Sequence, residues 1–246
     1  MFSTMKHLTW IVFLGIIFAS CGSPNVNDAN KEAKTVSNED SIPEAKSKKE
    51  WEKEVKIGQQ VWMAENLNVN KFRNGDPIPE AKSEEEWKKA GKNKQAAWCY
   101  YNNDPSNGTK YGKLYNWYAV NDPRGLAPEG WHIPSDQEWS VLTDYLGGDE
   151  QAGAKMKSKE GWNENGNGTN ESGFKGLPGG FRNGDGAFNG DGAFNYIGYY
   201  GYWWSSTEYD TYFAWNRYLS YCNGNVSSYY YYKELGFSVR CLRDSR

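Results

Sequence analysis

Aromatic side chains are the most distinctive chemical feature of this chain. Its 246 residues include 12 Trp, 18 Tyr and 10 Phe, with a dense stretch between residues 196 and 232. Neighbouring strand residues point to opposite faces, so the four tyrosines at 229–232 cannot all pack on a single core. Exposed rings stack on the C–H faces of sugars, while polar neighbours bind sugar hydroxyls. The candidate ligand-binding residues are Trp203, Trp204, Trp215, Asn216, Arg217, Tyr218 and Tyr230. The alternative is that a two-sided aromatic core, or loops folded over the sheet, accounts for most of these rings.

Catalytic chemistry has few candidate residues. The chain has two histidines, and His7 lies in the N-terminal segment. A Ser-His-Asp or Cys-His site would therefore need His132, for which we expect a structural role just before a helix. A zinc site with two or three histidines is excluded within the mature chain, and the cysteines lack C-x-x-C spacing. We expect no catalytic activity and no cofactor.

Oxygen ligands recur in a duplicated hexamer, Gly-Asp-Gly-Ala-Phe-Asn, at residues 184–189 and 190–195. Calcium takes roughly six to eight oxygen ligands, and the repeat offers some of them. Turns are the preferred interpretation, because Asn, Asp and Gly tolerate left-handed backbone. Calcium is the alternative, with candidate ligands Asp185, Asn189, Asp191 and Asn195.

The N-terminal segment is typical of a secretory signal peptide. A short basic start leads into an apolar run at residues 8–18, which is too short to span a bilayer as a helix. Small residues then precede Cys21, as in a bacterial lipobox. We predict removal of residues 1–20 and lipidation of Cys21, which would anchor the protein in the cell envelope, in the outer membrane. The domain could face either the periplasm or the cell exterior, and the sequence does not decide between them. The alternative is ordinary cleavage near Ser20.

Export makes disulfides permissible, and three cysteines remain beside Cys21. We expect one bridge, between Cys241 and either Cys99 or Cys222, and one odd thiol. The choice between the two partners stays open.

Composition divides the mature chain in two. Residues 21–50 are polar and poor in large apolar side chains, so we predict a disordered tether. Residues 51–246 have enough apolar and aromatic residues for one domain with a substantial core. The segment at 42–47 is repeated at 78–83. The first copy is either a duplication without a function in the tether, or it lets residues 47–51 mimic the helix that starts at Ser83 and dock against the domain. The net charge of -3 gives no basic face for nucleic acid.

Local patterns predict an α+β domain. We expect an opening strand at 55–63, capping boxes at Ser83 and Ser135 that start two helices, and a third helix through Leu114 and Trp117. Gly147 should end the second helix. Residues 163–196 are loop-rich, and strands are predicted at 202–206, 212–222, 226–232 and 236–242. The fold is thus loop-rich, with short helices and a small, mostly antiparallel C-terminal sheet.

Several motifs occur in order along the domain, among them Ile57-Gly58-Gln59-Gln60-Val61-Trp62-Met63, Tyr111-Gly112-Lys113-Leu114-Tyr115-Asn116-Trp117, Gly130-Trp131-His132-Ile133-Pro134-Ser135, Trp204-Ser205-Ser206-Thr207-Glu208 and Gly236-Phe237-Ser238-Val239-Arg240-Cys241. Their order resembles the Fibrobacter succinogenes major paralogous domain, common in lipoproteins of Bacteroidetes and Fibrobacteres. The resemblance implies a C-type-lectin-like fold related to the formylglycine-generating sulfatase-modifying enzymes, and a domain of largely unknown function. Members often have Cys-Pro where this chain has Ala127-Pro128.

These observations favour a lipid-anchored binding module whose aromatic, Asn/Asp-rich face holds a glycan or another envelope protein. A structural or assembly lipoprotein is the first alternative. An enzyme related to the sulfatase-modifying factors is the second.

Overall fold

The computed structural model describes residues 53–184 and 192–245. Cys21, the predicted tether and the repeated segment at 42–47 lie outside these ranges. None of the helices in the described part of the chain is long and apolar enough to cross a bilayer. The described elements in chain order are β1 (Glu54–Ile57), β2 (Gln60–Met63), α1 (Glu84–Lys92), β3 (Trp98–Cys99), a 3₁₀ turn (Tyr101–Asn103), α2 (Pro105–Tyr111), β4 (Leu114–Tyr115), α3 (Trp117–Val120), β5 (Trp131–His132), α4 (Asp136–Tyr145), α5 (Asp149–Met156), β6 (Gly179–Arg182), β7 (Phe194–Ile197), β8 (Tyr200–Glu208), β9 (Phe213–Ser220), β10 (Val226–Tyr232) and β11 (Leu242–Arg243).

The first sheet brings the two ends of the domain together in the order β1-β2-β11-β5, with antiparallel pairs throughout. The predicted single strand at 55–63 is wrong, because this segment folds back on itself as the β1–β2 hairpin. Gly58 has a φ of +62° and directly follows Ile57, which pairs with Gln60. A positive φ at the first turn residue is typical of tight hairpins, and glycine adopts it without strain.

The second sheet has the order β10-β9-β8-β6-β7 and is antiparallel except where β6 meets β8. The strands predicted around residues 202–206, 212–222 and 226–232 are present in it as β8, β9 and β10. The strand predicted at 236–242 is not formed as one element. This segment instead makes three isolated bridges: Gly236 with Arg182, Phe237 with Tyr115, and Ser238 with Trp203. Strand β11 begins only at Leu242. Short helices and mostly antiparallel sheets make the domain α+β, as predicted.

The helix starts follow the local signals. Ser83 with Glu86 and Ser135 with Glu138 form complete capping boxes at the starts of α1 and α4. Helix α4 ends as predicted, just before Gly147 with its φ of +104°. The third helix is shorter than predicted, because Leu114 belongs to β4, where it pairs with Cys99. The loop-rich region also contains β6 and β7.

Aromatic rings fill the core on both faces of the second sheet. On one face the Phe237 ring lies 4.3 Å from Trp204 and is stacked on Tyr202 at 4.8 Å. On the other face Phe174 lies 5.6 Å from Trp203 and 5.8 Å from Trp139 of α4. The central strands are therefore covered on both sides.

A buried arginine joins distant segments beside this core. Arg182 is 1% exposed and donates to the carbonyl oxygens of Ala81, Ser83 and Gly192 at 2.8, 2.6 and 3.3 Å. Its guanidinium also lies over the Trp87 ring, 4.9 Å from the centroid. Since buried carbonyls need donors, this side chain takes the place of backbone pairing.

We expect Arg182→Met to lower the free energy of unfolding by at least about 3 kcal/mol, because each buried carbonyl left without a donor costs roughly 1 to 3 kcal/mol. Urea denaturation measures the change. The control is Arg124→Met, whose half-exposed side chain pairs with Asp122 and whose loss should change the stability far less, because exposed ion pairs contribute little. Equal losses in the two variants would contradict the role assigned to Arg182.

Buried tyrosines make the stability sensitive to alkali. Burial raises the pKa of Tyr101 from 10.0 to about 12 and that of Tyr202 well above 10.0. A raised folded-state pKa contributes stability that is complete below the unfolded value and is lost as the pH rises through the folded value. We expect the free energy of unfolding to fall between pH 10 and 12, and Tyr202→Phe to reduce this fall by up to about 1.4 kcal/mol per pH unit.

The measurement is urea denaturation at pH 8, 9, 10 and 11. Tyr212→Phe, which alters a phenol that is 65% exposed, serves as the matched control and should leave the pH dependence unchanged. An identical pH dependence in Tyr202→Phe and the parent protein would refute the assignment.

Candidate functional site

Four of the seven predicted ligand-binding residues belong to the core. Trp203, Trp204, Asn216 and Arg217 are 1%, 0%, 0% and 3% exposed. Their assignment to an exposed face is wrong, because other elements cover both faces of the sheet at these four positions.

Each of these four buried side chains makes an internal hydrogen bond. Trp204 Nε1 donates to the Tyr115 carbonyl at 2.8 Å, and Trp203 Nε1 donates to Asn66 Oδ1 at 2.8 Å. The Arg217 guanidinium pairs with Asp136 and donates to Ser140 Oγ on α4 at 3.1 Å. These groups therefore hold the fold together.

Tyr218 lies on a different face from Trp215, because consecutive pairs along a strand alternate. It is half-buried and packs against Tyr202, with the ring centroids 5.5 Å apart. The structure therefore does not bring Tyr218 together with Trp215 and Tyr230.

Trp215 and Tyr230 do come together, in a cluster of partly exposed rings that we name the aromatic patch. The Tyr209 and Tyr230 rings stack at 3.9 Å with an interplanar angle of 2°. Trp215 meets both of them edge-on, at 5.4 Å from Tyr209 and 5.7 Å from Tyr230. The five members of the patch are Tyr209, Phe213, Trp215, Tyr230 and Tyr232.

Strand register assembles the patch. Trp215 pairs directly with Tyr230, and Phe213 pairs with Tyr232, in the β9–β10 ladder. Cross-strand aromatic pairs of this kind stabilise an antiparallel sheet. Sequence analysis missed Phe213 and Tyr232, although each lies two residues from a predicted member and so shares its face. Tyr209 had no such local signal, since it reaches the patch through a loop.

The loop that carries Tyr209 is tightly held. Asp210 Oδ1 accepts hydrogen bonds from the backbone N–H groups of Tyr212 and Phe213, both at 2.8 Å. Lys233, a buried residue after β10, pairs with Glu208 and donates to the Asp210 carbonyl at 2.6 Å. Tyr209 thus has a fixed position while remaining 46% exposed.

His132 lies between two carboxylates. Its Nδ1 lies 2.8 Å from Asp244 Oδ1 and its Nε2 lies 2.9 Å from Glu138 Oε1. Ser135 Oγ donates to Glu138 rather than to the imidazole, so these residues do not form a Ser-His nucleophile pair. Partial burial favours the neutral acid at Glu138, but hydrogen bonds from the Ser135 backbone and from His132 hold its pKa below the usual range.

The predicted disulfide through Cys241 is wrong. Cys99 and Cys241 are both free thiols, each 1% exposed or less, and they belong to different core clusters. Cys222 lies on the exposed turn after β9, with its Sγ 3.1 Å from Ser220 Oγ. Burial raises the pKa of Cys99 to about 11 and that of Cys241 to about 12, which disfavours thiolate chemistry at both.

Of the candidate calcium ligands, Asp185, Asn189 and Asp191 lie outside the described residues. Asn195 is part of β7, and its Nδ2 donates to the Ala193 carbonyl at 3.2 Å. Within residues 53–184 and 192–245, no three His, Cys, Asp or Glu side chains are grouped to hold a metal ion.

Comparison with curated proteins and with solved structures gives no match. The family model described as the Fibrobacter succinogenes major domain matches residues 55–243, from β1 to β11. The match thus covers all the sheets and the aromatic patch. The chain belongs to the Fibrobacter succinogenes major domain family.

Proposed function

We propose that this protein is a binding module of the cell envelope and that its aromatic patch binds glycan. The observation that carries the proposal is the set of five clustered rings, of which Tyr209 is 46% exposed. Aromatic faces offer large apolar area at little cost in conformational entropy, and phenol hydroxyls and the indole N–H supply polar contacts.

Rigidity supports this assignment. The patch rings stand on paired strands, and the loop before β9 is held by Asp210 and Lys233. A preorganised surface loses little entropy when a ligand binds, so weak stacking contacts translate into affinity. Asp210 and Glu208 lie at the same loop and offer carboxylate acceptors for sugar hydroxyls.

A role without catalysis is part of the proposal. The imidazole of His132 is engaged by two carboxylates, and the thiols of Cys99 and Cys241 are buried. We further propose that Cys21 carries the lipid anchor, on the basis of the signal-like sequence before it. A C-type-lectin-like fold is consistent with the pairing of the terminal strands β2 and β11 and with the loop-rich sheet.

Assembly with another envelope protein is the second candidate function. The observation in its favour is a pair of exposed apolar side chains on α4, one helical turn apart. Val141 is 44% exposed and Tyr145 is 65% exposed. Exposed apolar side chains grouped in this way are a feature of protein-binding surfaces.

We expect Trp215→Ala to weaken glycan binding by tenfold or more, equivalent to about 1.4 kcal/mol, because the variant removes the largest ring of the patch. Isothermal titration calorimetry with soluble oligosaccharides and peptidoglycan fragments, with and without calcium, measures the affinity. Trp215→Phe keeps a ring at this position and should retain most of it.

The matched control is Tyr145→Ala, which removes an exposed ring from α4 and should leave glycan affinity unchanged. Circular dichroism melting confirms that each variant is folded. The absence of binding across the panel would reject the glycan assignment and favour assembly with an envelope protein. A loss of that protein complex in Tyr145→Ala would then support assembly.

A further inference from the structure

A polar cleft of about 330 Å³ lies beside the β2 end of the first sheet. It shares no residue with the aromatic patch. The residues that carry charge or amide groups into its lining are Glu65, Asn66, Asn68, Lys110, Glu160, Lys175 and Arg240. Ligand pockets have volumes of roughly 300 to 1,000 Å³. The cleft therefore has the size for one small molecule.

Arg240 is the buried cation of this cleft and is 1% exposed. Its guanidinium donates to Asn66 Oδ1 from Nε at 3.1 Å and from Nη2 at 2.7 Å. Nη1 donates to the carbonyls of Met63 and Phe174 at 3.2 and 2.5 Å. All four acceptor contacts involve neutral oxygens, and a guanidinium has five N–H groups. One N–H group on Nη2 is left for a ligand.

No carboxylate of the described residues forms an ion pair with Arg240. Burial lowers the pKa of Arg240 to about 9, which records the cost of removing its charge from water. Buried charges are normally paired, and an anion placed nearby would offset that cost.

Two exposed lysines add positive charge to the same lining. Lys110 lies at the end of α2, and Lys175 lies in the loop before β6. Neither forms an ion pair within the described chain. The lining has two acids: Glu65, which pairs with Lys53 at 3.0 Å and also favours the charged form of Arg240, and Glu160, which has no ion-pair partner in the described residues, against the three basic side chains. The lining is therefore cationic overall.

The comparison with Arg182 separates a structural arginine from this one. Arg182 is equally buried, is equally free of a carboxylate and, like Arg240 over Phe174, lies over aromatic rings, but it lines none of the cavities given for the described residues. Arg240 combines the same burial with an accessible cleft and two flanking lysines.

We propose that this cleft binds a small organic molecule through a carboxylate group, held by Arg240 and flanked by Lys110 and Lys175. The remaining N–H group on Nη2 can donate one charge-assisted hydrogen bond to a carboxylate oxygen. Asn66 Nδ2 and Asn68 Nδ2 each donate one hydrogen bond within the protein, to the Tyr111 and Gly108 carbonyls, which leaves one N–H group of each amide for a hydroxyl oxygen of the same ligand. The ligand class is thus a carboxylate with hydroxyl groups, of about the size of one sugar acid.

The test is isothermal titration calorimetry of the purified protein with D-glucuronate, D-glucose and acetate. We expect saturable binding of D-glucuronate, weaker binding of acetate and none of D-glucose. Lys110→Gln and Lys175→Gln should each weaken D-glucuronate binding by about threefold, and the double variant by about tenfold. Added sodium chloride should also weaken it, because the attraction is electrostatic.

Lys71→Gln is the matched control, since it removes an exposed charge that is not part of the lining and should leave the affinity unchanged. The lysine variants avoid the risk that a change at Arg240 unfolds the domain. Equal binding of D-glucuronate and D-glucose, unchanged affinity in the double variant, or no binding at millimolar D-glucuronate would overturn the proposal. Trp215→Ala, which disrupts the aromatic patch, should leave D-glucuronate binding intact, so failure at one site is distinguishable from failure at the other.

Discussion

The fold depends on buried cations that supply hydrogen-bond donors to backbone carbonyls. A loop-rich domain has many carbonyls that no sheet ladder or helix satisfies, and burying them without donors is costly. Arg182, Arg240 and Lys157 are all buried, and each donates to carbonyls of segments far away in sequence. Lys157, for example, holds the turn after β9 by donating to the Ser220 and Asn223 carbonyls at 3.1 and 2.8 Å. Long basic side chains thus perform the joining that regular secondary structure performs elsewhere.

Burying a charged side chain costs free energy because it removes the charge from water, and neighbouring aromatic rings offset part of this cost. Burial lowers the pKa of Lys157 to about 8. The Lys157 ammonium lies 5.3 Å from the Trp162 ring centroid, and the Arg240 guanidinium lies 4.3 Å from that of Phe174. A ring face attracts a cation most strongly when both are removed from water. Trp162 and Phe174 thus stabilise buried cations in addition to packing in the core.

Local signals in the sequence predicted local structure well. The two capping boxes, the end of α4 at Gly147 and the strands β8, β9 and β10 are all present. Each of these features is decided by neighbouring residues. The missed turn at Gly58, which makes residues 55–63 a hairpin, is a local failure, and the other failures concern contacts between distant segments. The residues next to Trp203 and Trp204 in sequence do not indicate that α4 and Phe237 cover opposite faces of β8. The free thiol of Cys241 likewise follows from its long-range placement in the core.

The same distinction explains which part of the candidate site was predictable. Trp215 and Tyr230 share a face by strand alternation, so their sequence positions imply a common surface once the hairpin register is known. How much of that surface is exposed depends on where helix α4 packs against β9. Arg217, two residues along β9, bonds to Asp136 and Ser140 in the first turns of α4. The next residues on this face, Trp215 and Phe213, pack against rings from β10 and the β8–β9 loop instead of a helix. Rings that cover one another in this way stay ordered and yet partly accessible, which is the condition that a stacking surface for a ligand requires.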